Sequence, residues 1–575
     1  MNKPNPAIVA QSAVRRMPRA ALLLLCLAYV LPGLFGRAPW RSDDINAFGF
    51  MLELASGGGD WWSPRIMGLA PEVDALLPYW LGAWAIQLAP AWLGPDNAAR
   101  IPFVALLSLA LVATWYGAYH LARSPKAQPL AFAFGGEAQP ADYARALADG
   151  ALLALIACLG LAQPAHETTA SLAQLSFSAL VFYGFAAAPS GKPLPLLSMG
   201  LGLAALALSG APSVAVLLGL GGSLSLLSPD PEQHPSESGT RRWATAMAAR
   251  AVLITCLVAL MASALDLWRW RITVPGTETQ TWLGLGKLLV WFTWPAWPLA
   301  LWTLWRWRHH FFRAGQLPSK HLLLPLWFAG LALLATLFTH SPERSLLLAL
   351  PPLATLAAFA LPTLNRSLSA LIDWFTLLFF SGCAFIIWVV WVAMQTGVPW
   401  QPAANVERLA PGFVPSFAPP HFLIALAATL CWVWLVRWRV GRHRAAIWKS
   451  LILPAGGAAL CWLLLMTLWL PLLDYARSYL PMVARAQRDM QGSPCAQQTG
   501  LNAGQITALR FHGGLVLTAL QQQNSCAWLI VGVDPTQQAL STVDASEWTL
   551  QAQSSHPTDR EDNWLIYRRR TQTGL

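Results

Sequence analysis

The sequence contains few charged residues. Of its 575 residues, only 11% are Asp, Glu, Lys or Arg, whereas 55% are hydrophobic. So few charges could not cover a water-soluble protein of this length. Apolar runs of about 17–23 residues recur along the chain, the length that crosses the hydrocarbon core of a bilayer. The net charge of +11 is therefore interpreted as a signal of membrane topology and affinity for membrane lipids, and no nucleic-acid partner is expected.

The sequence also lacks the cysteine patterns of metal sites. It contains no CxxC pair and no His/Cys spacing typical of a zinc or iron–sulfur site. Six of the eight cysteines lie in apolar runs, where cysteine is usually a small buried hydrophobe. The other two, Cys495 and Cys526, lie in the polar C-terminal region. If that region faces an oxidising compartment, we expect these two cysteines to form a disulfide.

About thirteen apolar segments are predicted to span the membrane, with ends uncertain by several residues. They are residues 20–36, 99–121, 148–163, 170–187, 194–210, 213–228, 247–266, 286–305, 321–339, 345–362, 373–396, 421–438 and 450–472. The pair around Gly210-Ala211-Pro212 is either two spans or a re-entrant hairpin. The first segment follows three arginines, as in a signal peptide, but lacks a convincing cleavage site and is interpreted as a retained span.

The distribution of basic residues predicts the orientation of these segments. With the N-terminus in the cytoplasm, alternation places more than half of the 38 basic residues in the cytoplasmic tail and loops. This agrees with the positive-inside rule. An odd number of spans then places the C-terminal region on the outer side of the membrane, which is the periplasm if this is a bacterial inner membrane.

Two outer regions are not predicted to span the membrane. Residues 37–98 form a long first periplasmic loop, in which the apolar segment 76–93, interrupted by two prolines, suits a helix lying in the membrane interface. Residues 473–575 have an ordinary soluble composition, with strands beginning at Trp528 and Trp564 and a helix near 474–490. The predicted fold class is an all-α polytopic membrane protein, residues 1–472, with a small α/β periplasmic C-terminal domain. The stretch 229–242 is predicted to be a flexible cytoplasmic loop.

Two adjacent carboxylates, Asp43 and Asp44, follow the first span directly. A carboxylate beside the membrane is costly to keep unless it faces water or has a function. The pair therefore indicates chemistry at the membrane surface on a lipid-linked substrate. The alternative is structural, because Asp44 would be a good N-cap for the helix that follows it.

Cations are scarce on the predicted outer face. Arg65, Arg100, Arg269, Arg271 and Arg344 are there, the last in the loop that begins at His340. They are candidates for binding a phosphate, or alternatively for reaching lipid headgroups. Glu167, beside His166 in a short outer turn, lies near the site or serves as a helix-start carboxylate favoured by the helix dipole.

These residues resemble the membrane glycosyltransferases of fold class C, and most of all the protein-mannosyltransferase-like family that includes the lipid A aminoarabinose transferase. That family has an acidic pair after its first span, followed by an interfacial helix. The similar residues here are Asp43-Asp44, Leu54-Ala55-Ser56-Gly57, Asp60-Trp61, Pro64-Arg65, Gly68, Tyr79-Trp80-Leu81, Arg100-Ile101-Pro102, and Glu343-Arg344 through Pro351-Pro352-Leu353-Ala354.

The chain departs from the family's pattern at two places. Alignment on Leu54–Gly57 needs a shift of one residue, so whether Asp43 or Asp44 takes the catalytic position stays open. The family's lysine associated with the donor phosphate is also missing, and the corresponding segment, residues 73–77, contains Asp74. A donor or acceptor other than aminoarabinose and lipid A is therefore expected.

The resemblance implies a transfer of sugar from a polyprenyl-phosphate donor to a lipid, glycan or protein acceptor. It implies catalysis by Asp43 or Asp44 and substrate binding by Arg100, Glu167, Arg344, Arg65, Tyr79 and Trp80. A divalent metal held by Asp43, Asp44 or Glu167 is an open alternative, and no cofactor is certain. The rival hypotheses are a non-catalytic membrane scaffold of envelope glycan assembly and a transporter of lipid-linked glycans.

Overall fold

The computed structural model describes residues 5–227, 237–269, 276, 278–310, 319–339, 341–440, 446–520, 526–533 and 543–570. The helices of the first half are α1 (Arg19–Val30), α2 (Asp43–Ala55), α3 (Leu77–Leu88), α4 (Pro95–Ala122), α5 (Pro140–Ala157), α6 (Ala170–Ala187), α7 (Pro193–Leu208), α8 (Pro212–Leu226), α9 (Glu237–Ala264) and α10 (Thr279–Phe292). Those of the second half are α11 (Ala296–Arg306), α12 (Lys320–Thr336), α13 (Pro342–Leu347), α14 (Leu350–Ala360), α15 (Arg366–Thr396), α16 (Trp400–Leu409), α17 (Pro419–Val440), α18 (Ile452–Leu468), α19 (Leu470–Arg477), α20 (Leu480–Asp489) and α21 (Ala503–Phe511). The strands are β1 (Cys495–Thr499), β2 (Val516–Ala519), β3 (Trp528–Val533), β4 (Trp548–His556) and β5 (Asp559–Arg569).

The chain forms two compact units. The first unit comprises Met1–Pro32, Phe103–Phe385 and Leu423–Leu464, and the second comprises Gly33–Pro102, Ile386–Phe422 and Leu465–Leu575. The predicted division at residue 472 stays a prediction. The first outer loop and the C-terminal domain belong to one unit, because α2 packs against both α3 and α21.

The first unit is a bundle of apolar helices around α5. Every residue of α5 from Tyr143 to Ala157 except Arg145 is buried, as expected for a helix whose second half is apolar on all sides. It packs on α14, which in turn contacts α11 and α12. Helices α6 and α7 approach closely at Gly184, where an added Cβ would lie 2.9 Å from the Met199 backbone nitrogen. Small residues allow such close packing of apolar helices in membranes.

Within the described residues, six helices are long and apolar enough to cross a membrane. A seventh span results if α5 and the turns at Leu159–His166, bent by 64°, count as one. Five further apolar helices are shorter, among them α1, α7, α8 and α12. The chain is thus a multi-pass helical protein, and the count of thirteen stays a prediction.

The predicted span 286–305 is not one continuous helix, because α10 ends at Phe292 and α11 begins at Ala296, with Pro295 between them; that it crosses the membrane stays a prediction. Proline lacks the backbone N–H that would continue a helix. The stretch 229–242 is not wholly a loop either: α9 already begins at Glu237, and residues 229–236 lie outside the described residues.

The C-terminal region of the second unit forms a five-stranded mixed sheet in the order β2-β1-β3-β5-β4. Strand β1 is parallel to β2 and β3, whereas β5 is antiparallel to β3 and β4. Leu529, Val531, Trp548 and Leu565 form its hydrophobic cluster. The α/β composition and the strands at Trp528 and Trp564 agree with the sequence expectation, and the helix near 474–490 is divided into α19 and α20. Cys495 and Cys526 are bonded through sulfur, with Cα atoms 5.8 Å apart, within the range of disulfides.

Candidate active site

The acidic pair lies at the start of α2. The helix begins at Asp43, and Ser42 occupies the N-cap position with φ +74°, a conformation that strains a residue other than glycine. Asp43 and Asp44 are both in the first helical turn, where the helix dipole favours negative charge. The sequence-based alternative of Asp44 as the N-cap is therefore wrong by two positions. Strain held beside a carboxylate is typical of functional sites.

Asp44 is buried in an ion pair. Its side chain is 1% exposed, and its Oδ2 accepts hydrogen bonds from Arg37 Nη1 at 2.6 Å and from the Trp40 backbone N–H at 3.1 Å. Arg37, also 1% exposed, donates further to the carbonyls of Gly33 and Ala38. A buried carboxylate compensated by a guanidinium and a backbone N–H holds the start of α2 against residues 33–40.

Asp474 in α19 holds the same segment from the other end of the chain. Its Oδ1 accepts from the Ala38 backbone N–H at 3.0 Å and from Trp40 Nε1 at 3.2 Å. Burial raises the pKa of the Asp474 carboxyl above its ordinary value. Arg37 lies over the Trp40 ring, with its Cζ 4.4 Å from the ring centroid. The segment that enters α2 is thus fixed by one buried carboxylate, one half-buried carboxylate and one arginine.

Arg100 belongs to this cluster. It is 1% exposed and its Nη1 lies 3.4 Å from Asp96 Oδ2 and from Asn97 Oδ1. The charges of Arg37, Asp44 and Asp474 act on it as well. The structure therefore brings Asp44 and Arg100 into one cluster with Arg37 and Asp474, and Asp43 is the neighbour of Asp44 in α2.

Sequence analysis did not single out Arg37 or Asp474. A signal for both was available, because each directly follows an apolar run and each is a charge where the chain leaves the membrane. Their partnership was not visible, since the two residues lie more than 430 positions apart.

Asp43 differs from its neighbour in remaining partly exposed. The Ser42 hydroxyl donates to Asp43 Oδ1 at 3.3 Å. Successive helical positions point about 100° apart, so one carboxylate turns into the cluster while the other keeps part of its surface accessible. Asp43 is accordingly the better placed of the two to meet a substrate.

The predicted binding residues of the first loop differ in accessibility. Tyr79 is 4% exposed and its hydroxyl donates to the Val73 carbonyl at 3.2 Å, as a structural residue would. Trp80 is half-buried and donates from Nε1 to the Trp61 carbonyl at 2.8 Å. Arg65 is exposed and its Nη1 donates to the Gly68 carbonyl at 3.2 Å. Substrate contacts by these three residues stay predictions.

Glu167 and Arg344 belong to the first unit. Glu167 Oε1 accepts from Gln163 Nε2 at 2.9 Å, and α6 begins three residues later. Arg344 lies in the short helix α13, which packs against the turn Leu159–Leu161 and against α6. Arg344 is therefore on a helix that packs against α6, the helix that begins three residues after Glu167. Roles of Glu167 and Arg344 in substrate binding stay predictions, and His340 and Arg271 lie outside the described residues.

A metal site is not formed by protein ligands in the described ranges. No group of three or more His, Cys, Asp or Glu residues there is close enough to hold a metal ion. The sequence-based alternative of a metal on Asp43, Asp44 or Glu167 stays a prediction, for which substrate oxygens would have to supply part of the coordination.

Comparisons with known proteins establish the fold. No family model matches the sequence, and no curated protein matches it. A crystal structure of ArnT from Cupriavidus metallidurans bound to undecaprenyl phosphate is similar, with a TM-score of 0.59 and 14% identity over 96% of this chain and 97% of that chain. The apo structure of the same protein has a TM-score of 0.57 and 14% identity over 96% of each chain. The chain thus has the fold of the lipid A aminoarabinose transferase, a class C glycosyltransferase, as the sequence resemblance implied.

Proposed function

We propose that this protein is a glycosyltransferase of the bacterial inner membrane. It takes a sugar from a polyprenyl-phosphate donor on the periplasmic face and passes it to a lipid, glycan or protein. The observation that carries this proposal is the acidic pair at the start of α2, with a buried ion-pair cluster behind it and one carboxylate partly exposed. The fold similarity over nearly the whole chain to a protein crystallised with undecaprenyl phosphate supports it.

In the proposed reaction Asp43 acts as the base. The acceptor oxygen or nitrogen attacks the anomeric carbon, its proton passes to the Asp43 carboxylate, and the bond from that carbon to the phosphate oxygen breaks. Polyprenyl phosphate leaves with the bonding electrons. Asp44, Arg37 and Asp474 position the start of α2 and do not touch the substrate.

The leaving phosphate develops negative charge, which a site at membrane level must compensate. The family's lysine is missing, so another cation has to take its place. Arg344 is the favoured candidate, with Arg65 and Arg269 as alternatives and a divalent metal as a further one. We expect Arg344→Ala to abolish transfer, and Arg344→Lys to restore only part of it because lysine lacks the bidentate fork.

The Arg344 assignment is checked by transfer assays on both variants purified to the same yield. Normal activity of Arg344→Ala would refute it. Loss of wild-type activity in the presence of a chelator would transfer the role to a metal.

The proposed function is tested with Asp43→Asn in a strain that lacks the native gene. Mass spectrometry of envelope lipids, glycans and proteins identifies the product that depends on the wild-type protein. We expect Asp43→Asn to reduce that product by about 10²–10⁴-fold, the usual contribution of a general base. Asp489→Asn, an exposed position at the end of α20, is the matched control and should retain full activity.

The rival hypotheses predict other outcomes. A scaffold retains its effect on the envelope when Asp43 becomes Asn. A transporter leaves the polyprenyl-linked sugar chemically unchanged and alters only the side of the membrane on which it accumulates. Either result would replace the transferase proposal.

A further inference from the structure

An apolar cavity lies in the first unit, between α1, α4 and α5. Its volume is about 630 Å³, within the size range of small-molecule sites. It follows α1 from Met17 to Leu31, which corresponds to about 20 Å at the helical rise per residue. Leu23, Leu27 and Val112 line it and are at least half exposed. In a membrane-spanning bundle such exposed aliphatic side chains face hydrocarbon, so the cavity opens toward lipid.

One end of this cavity is basic. Arg16, Arg19 and Arg145 line it together with Asp149. Arg16 and Arg145 share a single carboxylate, Asp142, at 3.1 and 3.3 Å. Arg19 is exposed and forms no ion pair with any residue that the structure describes. The arginines therefore exceed the carboxylates, and this end suits an anionic group.

The basic end is held in place by the N-terminal segment. Gln11 Nε2 donates to Asp142 at 3.0 Å, and Trp448 Nε1 donates to the Arg15 carbonyl at 2.8 Å. Asp149 accepts from Trp115 Nε1 at 2.8 Å and from the Met17 backbone N–H. Asp149 is thereby occupied by neutral donors of the protein, and Arg16 and Arg145 are held at this end by Asp142.

We propose that this cavity binds one anionic phospholipid, with its phosphate at Arg16 and Arg19 and an acyl chain along α1. The complementarity of a basic end with an apolar channel carries this assignment. The arginines lie at the end of α1 that the positive-inside pattern places in the cytoplasm, so the lipid would belong to the inner leaflet. This site shares no residue with the acidic pair and its cluster.

The test measures lipid retention by the full-length protein in detergent, using native mass spectrometry. Phosphatidylglycerol is titrated into the protein, and phosphatidylcholine with the same acyl chains is titrated in a separate experiment. We expect one phosphatidylglycerol per chain and weaker retention of phosphatidylcholine. The double variant R16Q/R19Q should bind phosphatidylglycerol about thirty-fold more weakly, at the usual strength of basic residues beside anionic lipid. The control R366Q/R437Q removes the same charge at exposed helix-end positions and should bind normally.

A third variant separates the cavity from surface charge. Ser108→Phe fills the channel while leaving every arginine in place, and should also abolish specific retention. Thermal unfolding shows whether each variant is folded. Equal losses in R16Q/R19Q and R366Q/R437Q would overturn the proposal, as would normal binding by folded Ser108→Phe. Preferential retention of polyprenyl phosphate over phosphatidylglycerol would also overturn the phospholipid assignment.

Discussion

At the residue scale, the neighbouring residues Asp43 and Asp44 lie in different surroundings. Asp44 is enclosed by Arg37 and the Trp40 N–H, whereas Asp43 stays partly exposed. The sequence could identify the pair, because carboxylates beside a span are conspicuous. It could not divide their roles, since that division depends on where α2 begins and on which residues of distant segments meet it. Asp474, which fixes the same segment, illustrates this dependence.

We expect Arg37→Met to destabilise the protein by about 3–5 kcal/mol, because it leaves the Asp44 charge buried without its partner. Adding Asp44→Asn should recover a large part of this loss, since the uncompensated charge disappears. Denaturant unfolding in detergent measures both. Purely additive losses in the double variant would show that the pair does not interact as the structure indicates.

The raised pKa of Asp474 predicts a pH-dependent stability. A carboxyl whose folded pKa lies above its unfolded value binds its proton more tightly in the folded state. The protonated Asp474 carboxyl therefore stabilises the folded protein fully below its unfolded pKa of 3.8. This stabilisation is lost as the pH rises through its folded pKa. Asp474→Asn keeps the oxygen that accepts from Ala38 and Trp40 but cannot ionise.

Accordingly, Asp474→Asn should melt at a higher temperature than the wild type at pH 7, and this advantage should vanish near the unfolded pKa. Melting temperatures of both proteins across this pH window provide the measurement. The other titrating groups are common to both proteins and largely cancel in the difference. A difference that does not depend on pH would contradict the raised pKa.

At the element scale, α2 is enclosed by partners from both ends of the sequence. Phe48 packs on Phe511 with ring centroids 4.9 Å apart, and Glu53 pairs with Arg510 at 2.9 Å. Hydropathy and turn residues could predict α3 and the strands, because these depend on local patterns. They could not predict that α21 packs on α2, because such a contact depends on complementary surfaces of separate segments.

Gly49 shows how close this packing is. A Cβ at Gly49 would lie 2.0 Å from Thr507 Oγ1 and 2.9 Å from Ile66 Cδ1. We therefore expect Gly49→Ala to destabilise the second unit by about 1–3 kcal/mol through overpacking. Gly382→Ala is the matched control, because it lies within α15 with no atom within 4 Å of the added Cβ.

In the control, alanine's better helix propensity should stabilise the protein by about 0.5–1 kcal/mol. A lower melting temperature for Gly49→Ala and a higher one for Gly382→Ala, each relative to the wild type, would confirm the contact between α2 and α21. A stabilised Gly49→Ala variant would show that α2 and α21 are far enough apart to accommodate the added methyl group.

At the scale of the whole molecule, the fold was predictable and the site only partly so. The apolar segments and the short motifs around Asp43, Arg65 and Arg344 sufficed to indicate the fold that the ArnT structures share at 14% identity. Apolar periodicity survives extensive substitution because lipid accepts many side chains. The cation that would replace the missing lysine could not be predicted, because a phosphate charge can be compensated by an arginine from any segment of the fold.

The predicted orientation requires the C-terminal sheet to be periplasmic and its disulfide to form. Protein extracted under non-reducing conditions should therefore show no thiol reactivity at Cys495 or Cys526. Cys526→Ser should lower the stability of the sheet by about 3–4 kcal/mol, the chain-entropy effect of opening a loop of this length. Free thiols at both positions would contradict both the disulfide and the predicted orientation. Cys256→Ser, outside the C-terminal domain, is the control and should leave the stability of the sheet unchanged.

The contact between α2 and α21 can form only after α21 has been translated. Glu53 and Arg510 are separated by 457 residues, so at about 5–20 residues per second the ribosome needs roughly 20–90 s between them. During that interval the segment with Asp43 is already made but lacks the partner that completes its surroundings. A nascent or truncated chain without α21 would therefore lack the contacts that Arg510 and Phe511 make with α2.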